Sequence, residues 1–268
     1  MKYIAMMILT ALLAAACSKR VPETVVVEHL NAMTPVKDQG QTQSCWIYAM
    51  LAAIETEHIG QGDSVNLSAA WIESLMADDR RAPQSGRGMG ATLLQLLQEY
   101  GVVGYDAMRS ADRPRPKAVY LYGAEYTPLE FAHSVCRADE YVALTSNGDS
   151  AYGRQILVDE PDNWLRQRFL NVPIDTLLRR TVRAVRQGRG VCWESRHHAM
   201  AVVGLARDTL SGERYLVMKN SWGKDYGDHG LDYLSFSDFR MKTLAVCMPA
   251  EAFGETAEAV VKHSEATE

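Results

Sequence analysis

Four residues of the 268-residue chain have types and spacings that could together break an amide bond: Gln39, Cys45, His198 and Asn220. A thiol attacks a carbonyl well only when a base takes its proton, a third group orients that base, and donors receive the oxyanion that forms. Cys45 sits in "QTQSCWIYAM", where a polar run becomes apolar. Gln39 lies six residues upstream in "TPVKDQGQTQSCW", able to set its amide beside the backbone N–H of Cys45. His198 enters an apolar run in "RHHAMAVVG", and Asn220 stands in "KNSWGKDYG" with Trp222 close by. His197 adjoins His198, and on a strand only one of two neighbours faces inward. Taken alone, Cys45 would read as a small buried hydrophobe, the commonest fate of a free cysteine.

These residues need elements to hold them. From Ser44 to about His58 the chain is dense in apolar helix formers, and Gly60 follows as a stop, so a buried central helix is expected. Ser44 is a natural N-cap, which puts Cys45 in the first turn, where free N–H groups and the helix dipole favour a thiolate. That position predicts a thiol pKa below the free value of about 8.5. A second helix is expected over 91–100, ending at Gly101, and a third in "IDTLLRRTVRAVRQG", ending at Gly188. The third carries a basic outer face that reads as solvated surface. Beyond it the period changes to short β-rich runs, "GVCWES", "HAMAVVGLARD", "RYLVMKNSW" and "TLAVCMPA". Helices first and strands later predict an α+β protein with a helical lobe and a sheet lobe.

Composition excludes several classes. The chain is 47% hydrophobic and 23% charged with a formal net charge of -5, which repels polyanions on average, so nucleic acid is not an expected partner. No spacing of Cys or His suggests a structural zinc, and no metal or organic cofactor is expected. "SGRGMG" at 85–90 lacks the Lys-Ser/Thr of a phosphate loop and reads as an ordinary loop. The opening "MKYIAMMILTALLAAAC" has one basic residue and an apolar stretch too short for a comfortable span, as a removable signal does. Small residues before Cys17, with Ser18-Lys19-Arg20 after it, fit a lipoprotein signal; Ala14-Ala15-Ala16 also fits ordinary cleavage. The expectation is a lipid on Cys17 and a protein outside the cytoplasm, on the periplasmic face of a bacterial envelope, the alternative being a soluble periplasmic or secreted form. Cys45, Cys136, Cys192 and Cys247 then remain, enough for two disulfides, or one if Cys45 stays free.

"VPETVVVEHLNAMTPVKDQGQTQSCW", "HAMAVVG" and "KNSWG" together resemble the papain-like cysteine peptidases, in the same Cys, His, Asn order. The middle stretch with "LNVPID" is more similar to the aminopeptidase C and bleomycin hydrolase branch. The resemblance implies a papain-like two-lobed fold with a cleft between the helical lobe and an antiparallel β-sheet or barrel lobe. It implies Cys45 as nucleophile, His198 as base, Asn220 as its orienter, Gln39 as oxyanion donor, and Trp222 as a shield over the His–Asn bond. Trp46 would support the nucleophile, and Gly88 and Met89 would pair with substrate backbone. The expected partner is a peptide or protein, and a monomer is expected.

The implied layout is signal 1–16, linker 17–20, peptidase 21–250 divided near 135/136, and acidic tail 251–268. Three departures from the family stand out. Thr42 occupies the place of its usual cysteine, no inhibitory segment fits between signal and enzyme, and the chain is too short for the large insertions that build a hexameric ring. The segment after Phe253 is expected either to occlude the cleft or to be disordered. Alternatives of other classes are a cysteine-dependent cell-wall peptide amidase and a non-catalytic peptide-binding protein on the same fold.

Overall fold

Helix α1 (Cys45–Gly60) runs through the middle of the molecule, apolar on all sides, with Ile47, Met50, Leu51 and Ile54 fully buried. A helix hydrophobic all round can exist in water only inside a core. Each of those side chains contributes roughly 1.5–3 kcal/mol by leaving water, an upper bound given residual burial in the unfolded chain. The structure is a computed structural model that describes residues 23–121 and 123–254.

Around one side of α1 pack α2 (Ala69–Asp78), α3 (Gly90–Tyr100) and, against α3, α4 (Pro128–Val135). Ser68 caps α2 by accepting from the Trp71 N–H, and Thr127 with Glu130 forms a reciprocal capping box on α4. Helix α3 ends where expected, at Gly101 with φ 78°, a conformation that favours glycine. Helix α1 runs to Gly60, caps at Gln61, and its left-handed residue is Gly62 rather than Gly60.

The other side of α1 meets the sheet. Strands β4 (Tyr141–Thr145), β5 (Gln155–Leu157), β6 (Arg168–Asn171), β7 (Val191–Glu194), β8 (Ala199–Asp208), β9 (Arg214–Lys219), β10 (Leu231–Ser235) and β11 (Ala245–Pro249) pair in the order β10-β9-β8-β7-β11-β4-β6-β5. All neighbours are antiparallel except β4 and β6, which run parallel. Strand β1 (Val25–Leu30), from the start of the described chain, joins by pairing with β8. A small hairpin, β2 (Val119–Leu121) with β3 (Ala124–Tyr126), lies apart. Helix α5 (Ile174–Arg186) covers the far face with Leu177, Leu178, Ala184 and Val185, beside α6 (Phe236–Lys242) and α7 (Ala250–Phe253). The α+β, two-lobed architecture is as expected. A Cβ at Gly190 would collide with the Ala53 carbonyl, so glycine there lets β7 reach α1.

The cysteine count allowed up to two disulfides, and none forms among the described residues. Cys136, Cys192 and Cys247 are free buried thiols, not disulfide partners, although Cys192 and Cys247 face each other across β7 and β11. Burial pushes Cys136 up to about 12 and the other two well above the usual thiol range, so all three are protonated core residues. The expectations for Cys17, the signal and the acidic tail beyond Gly254 fall outside the described residues.

Candidate active site

Cys45 is the first residue of α1, so its backbone N–H stands outside the intrahelical ladder. Ser44 occupies the N-cap position but does not cap. Its hydroxyl donates to Glu73 Oε1 at 2.6 Å and pairs with Thr42 Oγ1, so the helix entrance is tied to α2 instead. The thiol shares a pocket with His198, Trp46, Gly88, Met89 and Glu194.

His198 stands immediately before β8, not within it, and His197 is exposed and faces away as expected. His198 Nε2 lies 2.9 Å from Asn220 Oδ1, and Asn220 Nδ2 donates to Asp232 Oδ2 at 2.6 Å. A carboxylate only accepts, which fixes the amide with its nitrogen toward Asp232 and its oxygen toward His198. Nε2 must then carry the hydrogen, leaving the Nδ1 lone pair for the thiol side. Trp222 stacks on His198, centroids 4.6 Å apart at 25°, and Tyr226 meets Trp222 edge-on at 4.6 Å. The indole shields the His–Asn bond on one side while remaining 42% exposed on the other.

Gln39 is held by the same segment. Its N–H donates to the Ser221 carbonyl at 2.8 Å, and the Ser221 hydroxyl donates to its Oε1 at 2.6 Å. One hydrogen of its amide goes to the Thr42 carbonyl at 2.6 Å, so the second is the one left for an oxyanion. Trp46 is buried and donates to the Gly86 carbonyl at 3.0 Å, and Gly88 lies flat against its ring, where a Cβ would come within 2.7 Å. The loop of Gly88 and Met89 is therefore fixed along the pocket beside Cys45, with α3 beginning at Gly90.

The electrostatics depart from the expected low thiol pKa. Burial pushes the Cys45 thiol up, and Glu194 adds to it, against the lowering by the Ala199 and Trp46 backbone N–H groups and by Arg87. Burial likewise pushes His198 down, offset by the Asn220 bond and the Asp232 charge. Both shifts favour a neutral thiol beside a neutral imidazole in the resting cleft, because neither charge is well solvated there.

Four participants carried no sequence signal. Asp232 and Asn220 are 12 residues apart. Arg87 and Asp162 form a two-pronged ion pair at 2.6 to 3.0 Å on the rim. Glu194, 3% exposed, accepts from the Gly90 N–H at 2.8 Å with one oxygen, while Oε2 has no partner. Burial raises its carboxyl to about 7.

The profile described as papain family cysteine protease matches residues 21–246. Papain from Carica papaya is 28% identical over 217 residues, covering 78% of this chain and 54% of papain's full length. Chymopapain from the same plant is 27% identical over 222 residues, covering 78% and 53%. The chain thus spans about half the length of the curated relatives it matches. Among solved structures, PepW from Lactobacillus rhamnosis superposes with TM-score 0.70 at 15% identity, over 97% of this chain and 91% of that one. Procathepsin L 3 of Tenebrio molitor larval midgut follows at TM-score 0.53 and 18% identity, over 87% and 71%. At such identities the superpositions speak to the fold.

Proposed function

The chain belongs to the papain family of cysteine proteases, and from that premise we propose that it hydrolyses peptide bonds with Cys45 as nucleophile, His198 as base and then acid, and Asn220 orienting His198. One observation carries the reading: the run Asp232–Asn220–His198 leaves Nδ1 as the free ring nitrogen in the pocket that holds the Cys45 thiol.

Sγ attacks the carbonyl carbon while Nδ1 takes the thiol proton, and the carbonyl electron pair moves to oxygen. The Cys45 backbone N–H and the second amide hydrogen of Gln39 receive that oxyanion. Collapse expels the amine, which takes the proton from His198, and leaves a thioester on Cys45. Water then attacks the thioester with His198 as base, releasing the acid and restoring the thiol. Gly88 and Met89 line the side along which the peptide backbone lies. The "LNVPID" resemblance supports aminopeptidase action, internal cleavage is the alternative, and the positions of the cuts decide between them. The protein acts in the cell envelope, anchored by lipid on Cys17 and facing the periplasm, a reading supported by the small residues before Cys17 and the short apolar stretch ahead of them.

The test compares the chain from Ser18 with Cys45→Ala on a mixed peptide library under reducing conditions, reading products by mass spectrometry. Cleavage should fall at least about 1,000-fold in the variant. Products that persist without Cys45, or no products at all, would remove the peptidase reading. Full-length Cys17→Ala should move from the membrane fraction to the soluble one.

A further inference from the structure

Helix α5 places Arg179, Arg183 and Arg186 on one exposed stripe, and Arg214 of β9 and Arg240 of α6 line the same open groove. A chain of net charge -5 has concentrated five guanidiniums at one place. Most arginines elsewhere that pair do so with carboxylates, whereas Arg183 and Arg186 meet no acceptor among the described residues. Arg179 reaches only the Thr176 hydroxyl, and Arg214 only the Phe236 ring. Of the acids nearby, Asp175 is ion-paired with Arg240, Asp208 accepts from the Leu210 and Ser211 N–H groups, and Glu213 accepts from the Tyr215 and Ser237 hydroxyls, so none of the three meets Arg183 or Arg186.

A second observation concerns where the chain enters. Thr24, at the head of β1, accepts from both the backbone N–H and the hydroxyl of Thr209 at 2.9 and 3.0 Å. That residue belongs to the turn between β8 and β9, and Gly212 of the same turn lines the groove with Arg214. Six residues separate Cys17 from Thr24, a connection that spans roughly 25 Å at most. Under the anchored reading proposed above, a lipid on Cys17 keeps this corner within roughly 25 Å of the bilayer. The corner also carries exposed apolar side chains: Leu210 at the tip of the turn is 83% exposed, and Val26 and Val27 of β1, paired with Arg207 and Ala206, are 51% and 38% exposed. Apolar tips beside unpaired arginines suit a surface of hydrocarbon topped by phosphate, to which guanidinium binds in two-pronged fashion.

We infer that the α5 groove and the 208–213 turn form a docking face for an anionic lipid bilayer, seating the peptidase on the membrane in a fixed orientation. The orientation rests on the anchored reading above, whereas the binding surface is a property of the described fold and is testable without the lipid.

The chain from Ser18, which lacks Cys17 and retains every described residue, is sedimented with vesicles of phosphatidylglycerol and phosphatidylethanolamine, and with phosphatidylcholine alone. Partitioning should favour the anionic vesicles by tenfold or more at low salt and fall as ionic strength rises. Arg183→Glu combined with Arg186→Glu should lose that preference while peptide cleavage stays unchanged, which separates a binding defect from a folding one. Leu210→Ser should weaken binding less. Equal partitioning on both vesicles, or a double variant that binds like the parent, overturns the inference. So does displacement by millimolar inorganic phosphate at constant ionic strength, which would mark a site for a free anion. Cys45-dependent cleavage in the same samples reports on the peptidase reading separately.

Discussion

Two buried glutamates join the lobes, and the chain treats them oppositely. Glu55 of α1, 1% exposed, accepts from Thr34, from Lys37 Nζ at 2.5 Å and from the Leu67 N–H at 2.7 Å, with Lys219 Nζ 3.9 Å away. Lys219 in turn donates to Thr34 at 2.7 Å, closing the network at the residue before Asn220. Glu194 of β7 has one backbone partner and one unpartnered oxygen, beside the Cys45 thiol. Full satisfaction of a buried charge gives a fixed joint, and partial satisfaction gives a group whose proton is loosely held at neutral pH. The chain places the joint behind Asn220 and the loosely held proton in the pocket of Cys45.

The largest effect should come from breaking the joint. Glu55→Ala leaves Lys37 and the buried Lys219 without their counter-charge and should cost roughly 3–5 kcal/mol in urea denaturation. Lys219, already pushed down to about 8 by burial, should then lose its proton more readily, since Glu55 is the charge that opposes that shift.

Next comes Glu194→Gln, which keeps the acceptor for Gly90. Because the folded carboxyl is raised from 4.5 to about 7, the native state holds its proton where the unfolded chain releases it, so stability falls as pH rises through that window. Over the whole window the loss should be roughly 3 kcal/mol, at about 1.4 kcal/mol per pH unit. The variant should be less sensitive to pH between 4.5 and 7; an unchanged slope would assign the proton elsewhere.

Asp232→Asn is smaller and kinetic. Removing a charged acceptor should lower kcat/KM about 10- to 100-fold, the size of a hydrogen bond to a charged group of about 1.5–3 kcal/mol. Asp232 raises the His198 pKa, so the limb of the pH profile carried by His198 should move to lower pH. A loss of rate with no movement of that limb would reduce Asp232 to a structural role.

Trp222→Ala should have the least effect, about two- to tenfold, in line with the roughly 0.5–1.5 kcal/mol of an aromatic contact. Its pH shift should have the opposite sign, since removing the indole relieves the burial that lowers His198.

Much of this was legible in the sequence where the signal was local. Helix α1 follows from its density of apolar helix formers, α3 and α5 from apolar spacing and glycine stops, and β7, β8, β9 and β11 from apolar runs between turns. Helices α2 and α4 carry side-chain caps but are short, and β2, β3 and β5 have three residues each, too few for a period to show. Strand β1 looks exposed along most of its length and gains its place only by pairing with β8, which lies far along the chain. The thiol's direction of shift was also illegible, because position on a helix is a local fact and burial beneath a second lobe is not.

The sequence by itself determined the candidate residues, the helix that begins at Cys45, and the Cys, His, Asn order, since these are written in short contiguous blocks. Tertiary structure alone decided which histidine nitrogen is free, because that depends on Asp232, 12 residues beyond Asn220. It alone decided that Cys192 and Cys247 pack as thiols in the core. And it alone set an underpaired carboxylate, 104 residues from its backbone donor, in the pocket of Cys45. Charges act through space and burial, and a linear order of residues carries neither.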